Sequence, residues 1–241
     1  MKKERIYALD WIRGIALLGM IFHHALFAVE QISYLFNEPV EFAFLQGWGF
    51  WTLQELFVAV FLLISGICTA FSRNVLRRGL IVSGGAAAIT LVTAVLLPAI
   101  GVTGLEIWFG ILHMFGFSML IYALLSHPKK WVPVLTASVL FVVYLAAVTL
   151  WGSGYALWVN TVMGFPFEGF YSADYYPLFP YVLLFFAGTK LGPAIKERRL
   201  PAKFYALRCK PLEWVGRHSL WVYLLHQPLI FGIVGLIYEL K

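Results

Sequence analysis

Four ionisable side chains sit inside the first apolar stretch, ALDWIRGIALLGMIFHHALF: Asp10, Arg13, His23 and His24. A guanidinium can hold an anion, and an imidazole can move a proton or act as a nucleophile. Such groups are costly at membrane depth, so they mark a site rather than a plain span. Arg13 and His24 stand eleven residues apart, which at about 100° per residue is roughly three full turns. Both therefore lie on one face, about 16 Å apart along the axis, while His23 is rotated about 80° away from it. The plain alternative is a snorkelling Arg13 at the cytoplasmic interface with two incidental histidines.

The other polar residues within apolar stretches are few. Gln54 and Ser65 are again eleven apart and share a face, beside Glu55 near the outer end. Ser65 with Gly66 reads equally well as close helix packing, which makes Glu55 the better candidate for chemistry. In ILHMFG, His113 follows Glu106 by seven residues, about two turns, on the same face. A histidine there can serve helix-to-helix hydrogen bonding as well as catalysis. Asp174 opens the run Asp174-Tyr175-Tyr176-Pro177, and a second proline, Pro180, follows. Prolines bend a helix start and free its carbonyls, so Asp174 can be presented inward instead of to water. In GRHSLWVYLLHQPLI, Ser219, Tyr223 and His226 align at i, i+4 and i+7 on one stripe, with Pro228 expected to break the ladder just beyond. Whether they bind a ligand or knit helices is open.

The elements that must position these residues are membrane helices. With 61% hydrophobic residues, 12% charged residues and a mean hydropathy of +0.82, the chain has too little polar surface for a soluble globule. Seven apolar stretches can be drawn, near Ala8–Val29, Trp51–Phe71, Leu80–Pro98, Glu106–Leu125, Trp131–Trp151, Tyr175–Leu191 and Ser219–Tyr238. Each approaches the ~20 residues that cross ~30 Å of hydrocarbon. The alternating pattern of a membrane barrel is absent. The expected fold is all-α, a polytopic bundle of about seven transmembrane helices in the cell membrane.

Orientation follows from the basic residues. With the N-terminus cytoplasmic, the inner segments hold every lysine and arginine except Lys241, while Glu30, Glu38, Glu41, Glu168 and Asp174 fall in outer loops. The positive-inside rule then places the C-terminus outside. Topogenesis and anionic lipid account for the +6 net charge, so no nucleic-acid partner is expected. Cys68 and Cys209 both fall on the predicted cytoplasmic side, so no disulfide is expected, and no metal-ligand spacing suggests a metal. Long aromatic outer loops, about residues 30–49 and 152–174, suit lids or an acceptor site, and no linker divides residues 1–241, which read as one domain.

Taken together, RIYALDWIRGIALLGMIFHH at 5–24, FLLISG at 61–66, ILHMFGFSMLIYALL at 111–125, DYYPLFPYVLLFFAG at 174–188 and EWVGRHSLWVYLLHQP at 213–228 resemble the transmembrane acyltransferase superfamily. The closest likeness is to its heparan-alpha-glucosaminide N-acetyltransferase-like branch of small bacterial membrane proteins. The resemblance implies a helix bundle that takes an acyl group from cytoplasmic acyl-coenzyme A and passes it to an acceptor on the far side. Related acyltransferases carry an Arg or Lys, ten intervening residues and then a His in the first helix, which Arg13 and His24 match and His23 does not. The eukaryotic heparan enzymes place their active histidine in the loop after this helix, where this chain has none between Leu26 and Leu112.

The resemblance gives these residues expected roles. Acetyl-CoA, the donor, enters from the basic cytoplasmic face with its phosphates on Arg13, Arg73, Arg77 and Arg217. His24 acts as general base or as nucleophile through an acetyl-imidazole. Asp174 or Glu55 fixes its tautomer, and Tyr223, His226 or His113 donates to the oxyanion, with Ser65 and Ser219 on the donor path. The acceptor is a sugar or glycan outside the cytoplasm, and the resemblance leaves a homodimer open. Two other classes fit the residues alone: a proton-coupled carrier, though no repeated half or broken-helix pair is visible, and a noncatalytic receptor or scaffold using the aromatic loops.

Overall fold

The computed structural model describes residues 5–126 and 152–241. These form nine helices: α1 (Tyr7–Leu35), α2 (Trp48–Ile67), α3 (Val75–Ala99), α4 (Ile111–Leu125), α5 (Gly152–Met163), α6 (Tyr181–Lys196), α7 (Ala202–Ala206), α8 (Lys210–Arg217) and α9 (Ser219–Glu239). Among the described residues, α1, α2 with its following turn, α3 and α9 are long and apolar enough to cross a membrane, and α4 is a shorter apolar helix. The expected span Trp131–Trp151 lies outside the described residues. The chain divides into two compact units, one of Met1–Ala70 with Leu191–Lys241 and one of Phe71–Lys190.

In the first unit α1 is the central element. Among its buried residues, Leu9, Arg13, Leu17 and Met20, and then Ala28 and Ile32, follow one another at steps of three or four. This apolar stripe of a helix faces its neighbours and includes the expected Arg13 side. α2 runs antiparallel to it. Phe57 lies where a side chain at Gly19 would project, His23 stacks on Phe50, and Arg13 reaches Cys68 at the far end. α9 instead runs parallel to α1. Arg13 meets Gly216 just before α9, His24 meets His226, Phe36 meets Tyr238, and Glu38 pairs with Lys241.

Two glycines allow α8 to lie directly on α1. A Cβ at Gly14 would strike the Leu212 carbonyl, and one at Gly216 would strike the Asp10 carbonyl. Backbone thus meets backbone in both directions, which only residues without side chains permit. α1 also runs past its expected end at Val29 to Leu35. The added turns are useful to the loop that follows. Glu30 Oε1 accepts the Phe42 N–H at 2.7 Å, Ser33 Oγ accepts the Val40 N–H at 2.9 Å, and the Tyr34 hydroxyl donates to Glu41.

In the second unit α3 and α4 are antiparallel neighbours, with Gly79 against Leu120 and Gly116 against Ser83. α3 starts at Val75 rather than Leu80 because the Asn74 side chain caps it, accepting the Arg77 N–H at 2.8 Å. Within α3, Leu91–Leu96 is π-helical. The expected fourth span is shortened at its start. Gly101 and Gly104 take left-handed φ values of 86° and 84°, the chain runs non-helical through Gly110, and α4 begins at Ile111. Glu106 is therefore not one helical face with His113, as its spacing suggested; its carboxylate accepts the Gly104 N–H at 2.9 Å instead.

Candidate active site

Helical geometry sends the adjacent histidines of α1 to different neighbours. His23 turns to α2, stacking on Phe50 with ring centroids 5.3 Å apart, and its Nδ1 is buried without a hydrogen-bond partner among the described residues. His24 turns to α9. Its Nδ1 lies 2.7 Å from His226 Nε2, and the two rings are nearly parallel at 16° with centroids 5.0 Å apart. His226 Nδ1 in turn lies 2.5 Å from the Tyr223 carbonyl oxygen, and the Gln227 amide lies 3.4 Å from His24 Nδ1.

Tyr223 and His226 are both buried, as one inward stripe of α9 requires. Pro228 lies inside this helix without ending it, in keeping with the expected span Ser219–Tyr238. α9 continues to Glu239, because proline removes one backbone donor without forbidding the helical path in a packed membrane helix. Ser219 is the first residue of α9, Ser65 is buried on α2, and Glu55 is half-buried on the same helix. The hydrogen bonds of His24 go to His226 and Gln227, and to neither Glu55 nor Ser65.

Arg13 shares the inward side of α1 with these groups, as its spacing suggests, but its guanidinium is already engaged. It is only 8% exposed, with Nη1 donating to the Gly216 carbonyl at 3.3 Å and Nη2 to Cys68 Sγ at 2.6 Å. Asp10 lies 3.9 Å away and takes a 2.6 Å bond from Arg5 Nε. Arg13 therefore ties α1 to α2 and to the chain before α9. A second cluster sits beside it on α8. Glu213 is fully buried, accepting from Arg208 Nε at 2.8 Å and from the Cys209 N–H at 3.1 Å, with Arg217 Nη2 at 3.7 Å. The Arg208 guanidinium covers the Tyr7 ring at 3.6 Å. It holds the Glu213 carboxyl below the usual carboxylate range.

Sequence reasoning passed over Glu213 and Gly216. The signal was present: a carboxylate in a basic loop, three residues before a glycine, in EWVG. Arg73 and Arg77, by contrast, are exposed cations at the start of α3 in the second unit.

His113 and Asp174 also belong to the second unit, where both finish the start of α4. His113 Nδ1 accepts the Gly110 N–H at 3.2 Å, and its Nε2 meets Thr90 Oγ1 at 3.0 Å. Thr90 spends its own hydrogen on the Ile107 carbonyl at 2.8 Å, so the His113 Nε2 must be the donor in that pair. Asp174 Oδ2 accepts the Ile111 N–H at 3.1 Å and occupies the space a side chain at Gly110 would fill. A carboxylate there suits the positive end of the helix.

Among the described residues, no group of histidine, cysteine and carboxylate side chains is arranged to hold a metal ion. The first unit does offer two imidazoles in hydrogen-bond contact at the middle of two parallel apolar helices, an arrangement suited to moving a proton. No curated protein and no solved structure gives a significant match to the chain. A family model described as "Heparan-alpha-glucosaminide N-acetyltransferase, catalytic" does match, over residues 5–228, a range that includes His24, His113 and His226. The chain therefore belongs to the heparan-alpha-glucosaminide N-acetyltransferase catalytic family, as a multi-pass membrane acetyltransferase with acetyl-CoA as its donor.

Proposed function

We propose that the chain, acting as one domain, carries an acetyl group from cytoplasmic acetyl-CoA to an amine or hydroxyl of a glycan on the far side of the membrane. His24 is the base. Its ring takes the proton as the acceptor nitrogen or oxygen attacks the thioester carbonyl; the carbon–sulfur bond breaks, and the imidazolium returns the proton to the departing coenzyme A thiolate. The single observation that carries this reading is the His24–His226 contact at 2.7 Å, midway along α1 and α9 in an acetyltransferase-family chain.

The parallel run of α1 and α9 supports a topology in which the first and last spans cross in the same direction. Arg13 serves here as the clamp beneath the histidines rather than as the phosphate ligand. Exposed Arg217 and Lys210 on α8 supply the basic face for the donor's phosphates.

The test uses the purified chain in liposomes with acetyl-labelled acetyl-CoA on one side. Glucosamine and a hydroxyl-bearing oligosaccharide are supplied in turn on either side. Labelled product appearing only across the bilayer from the donor supports the proposal. Product confined to the donor side, or no coenzyme A release with any acceptor, contradicts it.

A further inference from the structure

The hydrogen-bond partners of the histidine pair determine where its hydrogens lie, and from them we infer that His226 is a positioning residue. It takes the Nδ1 hydrogen of His24 and so leaves the Nε2 lone pair of His24 as the reacting atom. The inference rests on the proposal that His24 is the base, and adds the residue that orients it.

The Tyr223 backbone carbonyl oxygen can only accept, so His226 Nδ1, 2.5 Å away, carries a hydrogen. In a neutral imidazole the other nitrogen is then an acceptor, so His226 Nε2 presents a lone pair to His24. The contact at 2.7 Å requires His24 Nδ1 to be the donor. A neutral His24 with its hydrogen on Nδ1 has a bare Nε2. Among the described residues, no hydrogen bond reaches that atom.

The alternative arrangement places a second hydrogen on His226. That makes it a cation at 6% exposure between two apolar helices, a costly position for an unshared charge. The Gln227 amide nitrogen lies 3.4 Å from His24 Nδ1; the neutral arrangement turns that amide over, which brings its oxygen to the Nδ1 hydrogen.

The two histidines of α1 differ in the same terms. Among the described residues, His23 has a buried Nδ1 with no partner and a ring stacked on Phe50, and none of them fixes which of its nitrogens holds the hydrogen. His24 is selected. A base whose tautomer is wrong loses rate even when its place is right.

The experiment is 15N spectroscopy of the full chain labelled at histidine and embedded in lipid nanodiscs, with signals assigned by single histidine replacements. Wild-type His24 is expected to show a protonated Nδ1 and an unprotonated Nε2. His226→Gln, whose amide oxygen can still accept, keeps that pattern. His226→Leu, which offers no acceptor, loses it.

Coenzyme A release follows the spectra. In His226→Leu kcat falls about 100-fold while the KM for acetyl-CoA stays within about twofold, and His226→Gln restores most of the rate. A hydrogen on Nε2 of wild-type His24, or a pattern unchanged in His226→Leu, overturns the inference. If His24→Ala is inactive while His226→Leu turns over normally, the positioning role falls and the base remains. If His24→Ala is fully active, the base itself falls, whatever the spectra show.

Discussion

His24 and His113 are both histidines in apolar helices of one chain, and their ring nitrogens are spent differently. At His113 both are committed: Nδ1 to the Gly110 N–H and Nε2 to Thr90, which is anchored on the Ile107 carbonyl. That ring completes a helix start, where backbone donors would otherwise be left unpaired. At His24 one nitrogen is held by another imidazole, and the other has no bond among the described residues. A satisfied ring stabilises; a ring with a lone pair to spare can react. The difference does not lie in residue type, which is why spacing alone treated both as candidates.

Four expected outcomes probe that contrast. The largest is at the open ring: His24→Ala lowers turnover by on the order of 10²–10⁴-fold, measured as coenzyme A release, with little change in thermal unfolding in detergent. Next, His113→Ala lowers stability by about 1–3 kcal/mol, because it strands the Gly110 N–H and Thr90. Transfer per folded molecule then stays within about tenfold of wild type, less than the factor expected for a lost general base. Thr90→Val removes a single partner of the closed ring and is expected to cost about 1 kcal/mol in the same unfolding assay.

The smallest effect is a change of slope with pH at Glu213, which supports the α1–α8 contact beneath the open ring. Its folded pKa is depressed from the ordinary 4.5 by Arg208. The stability it contributes is complete above that value and is lost as pH falls through the lowered folded one. Between neutral pH and pH ~3, Glu213→Gln unfolds at lower temperature than wild type, and its melting temperature varies less with pH below the ordinary carboxylate range.

What could be read from sequence followed helical geometry. The eleven-residue separation of Arg13 and His24 put them on a common side of α1, and the rotation of His23 away from it is realised in the stack on Phe50. The range of α9 was likewise legible from an uninterrupted apolar run, because Pro228 in a packed membrane helix is tolerated. The start of α4 was not. Periodicity counts the apolar residues around Glu106, but Gly101 and Gly104 bend the chain there, and Asp174, 63 residues on from Ile111, completes the helix end.

The engagement of Arg13 and the pairing of His24 with His226 were equally hidden, since both depend on partners about 200 residues away in sequence. A helical wheel gives the side a residue faces and not the helix it meets.

The account is tested most directly by titrating the purified protein with diethyl pyrocarbonate, which acylates an imidazole nitrogen that carries a lone pair, and mapping the modified peptides against loss of coenzyme A release. Activity is expected to fall in proportion to modification of His24, to be protected by acetyl-CoA, and to be lost while His113 remains unmodified. Inactivation with His24 intact, or full activity with His24 modified, would contradict the assignment of transfer to that ring.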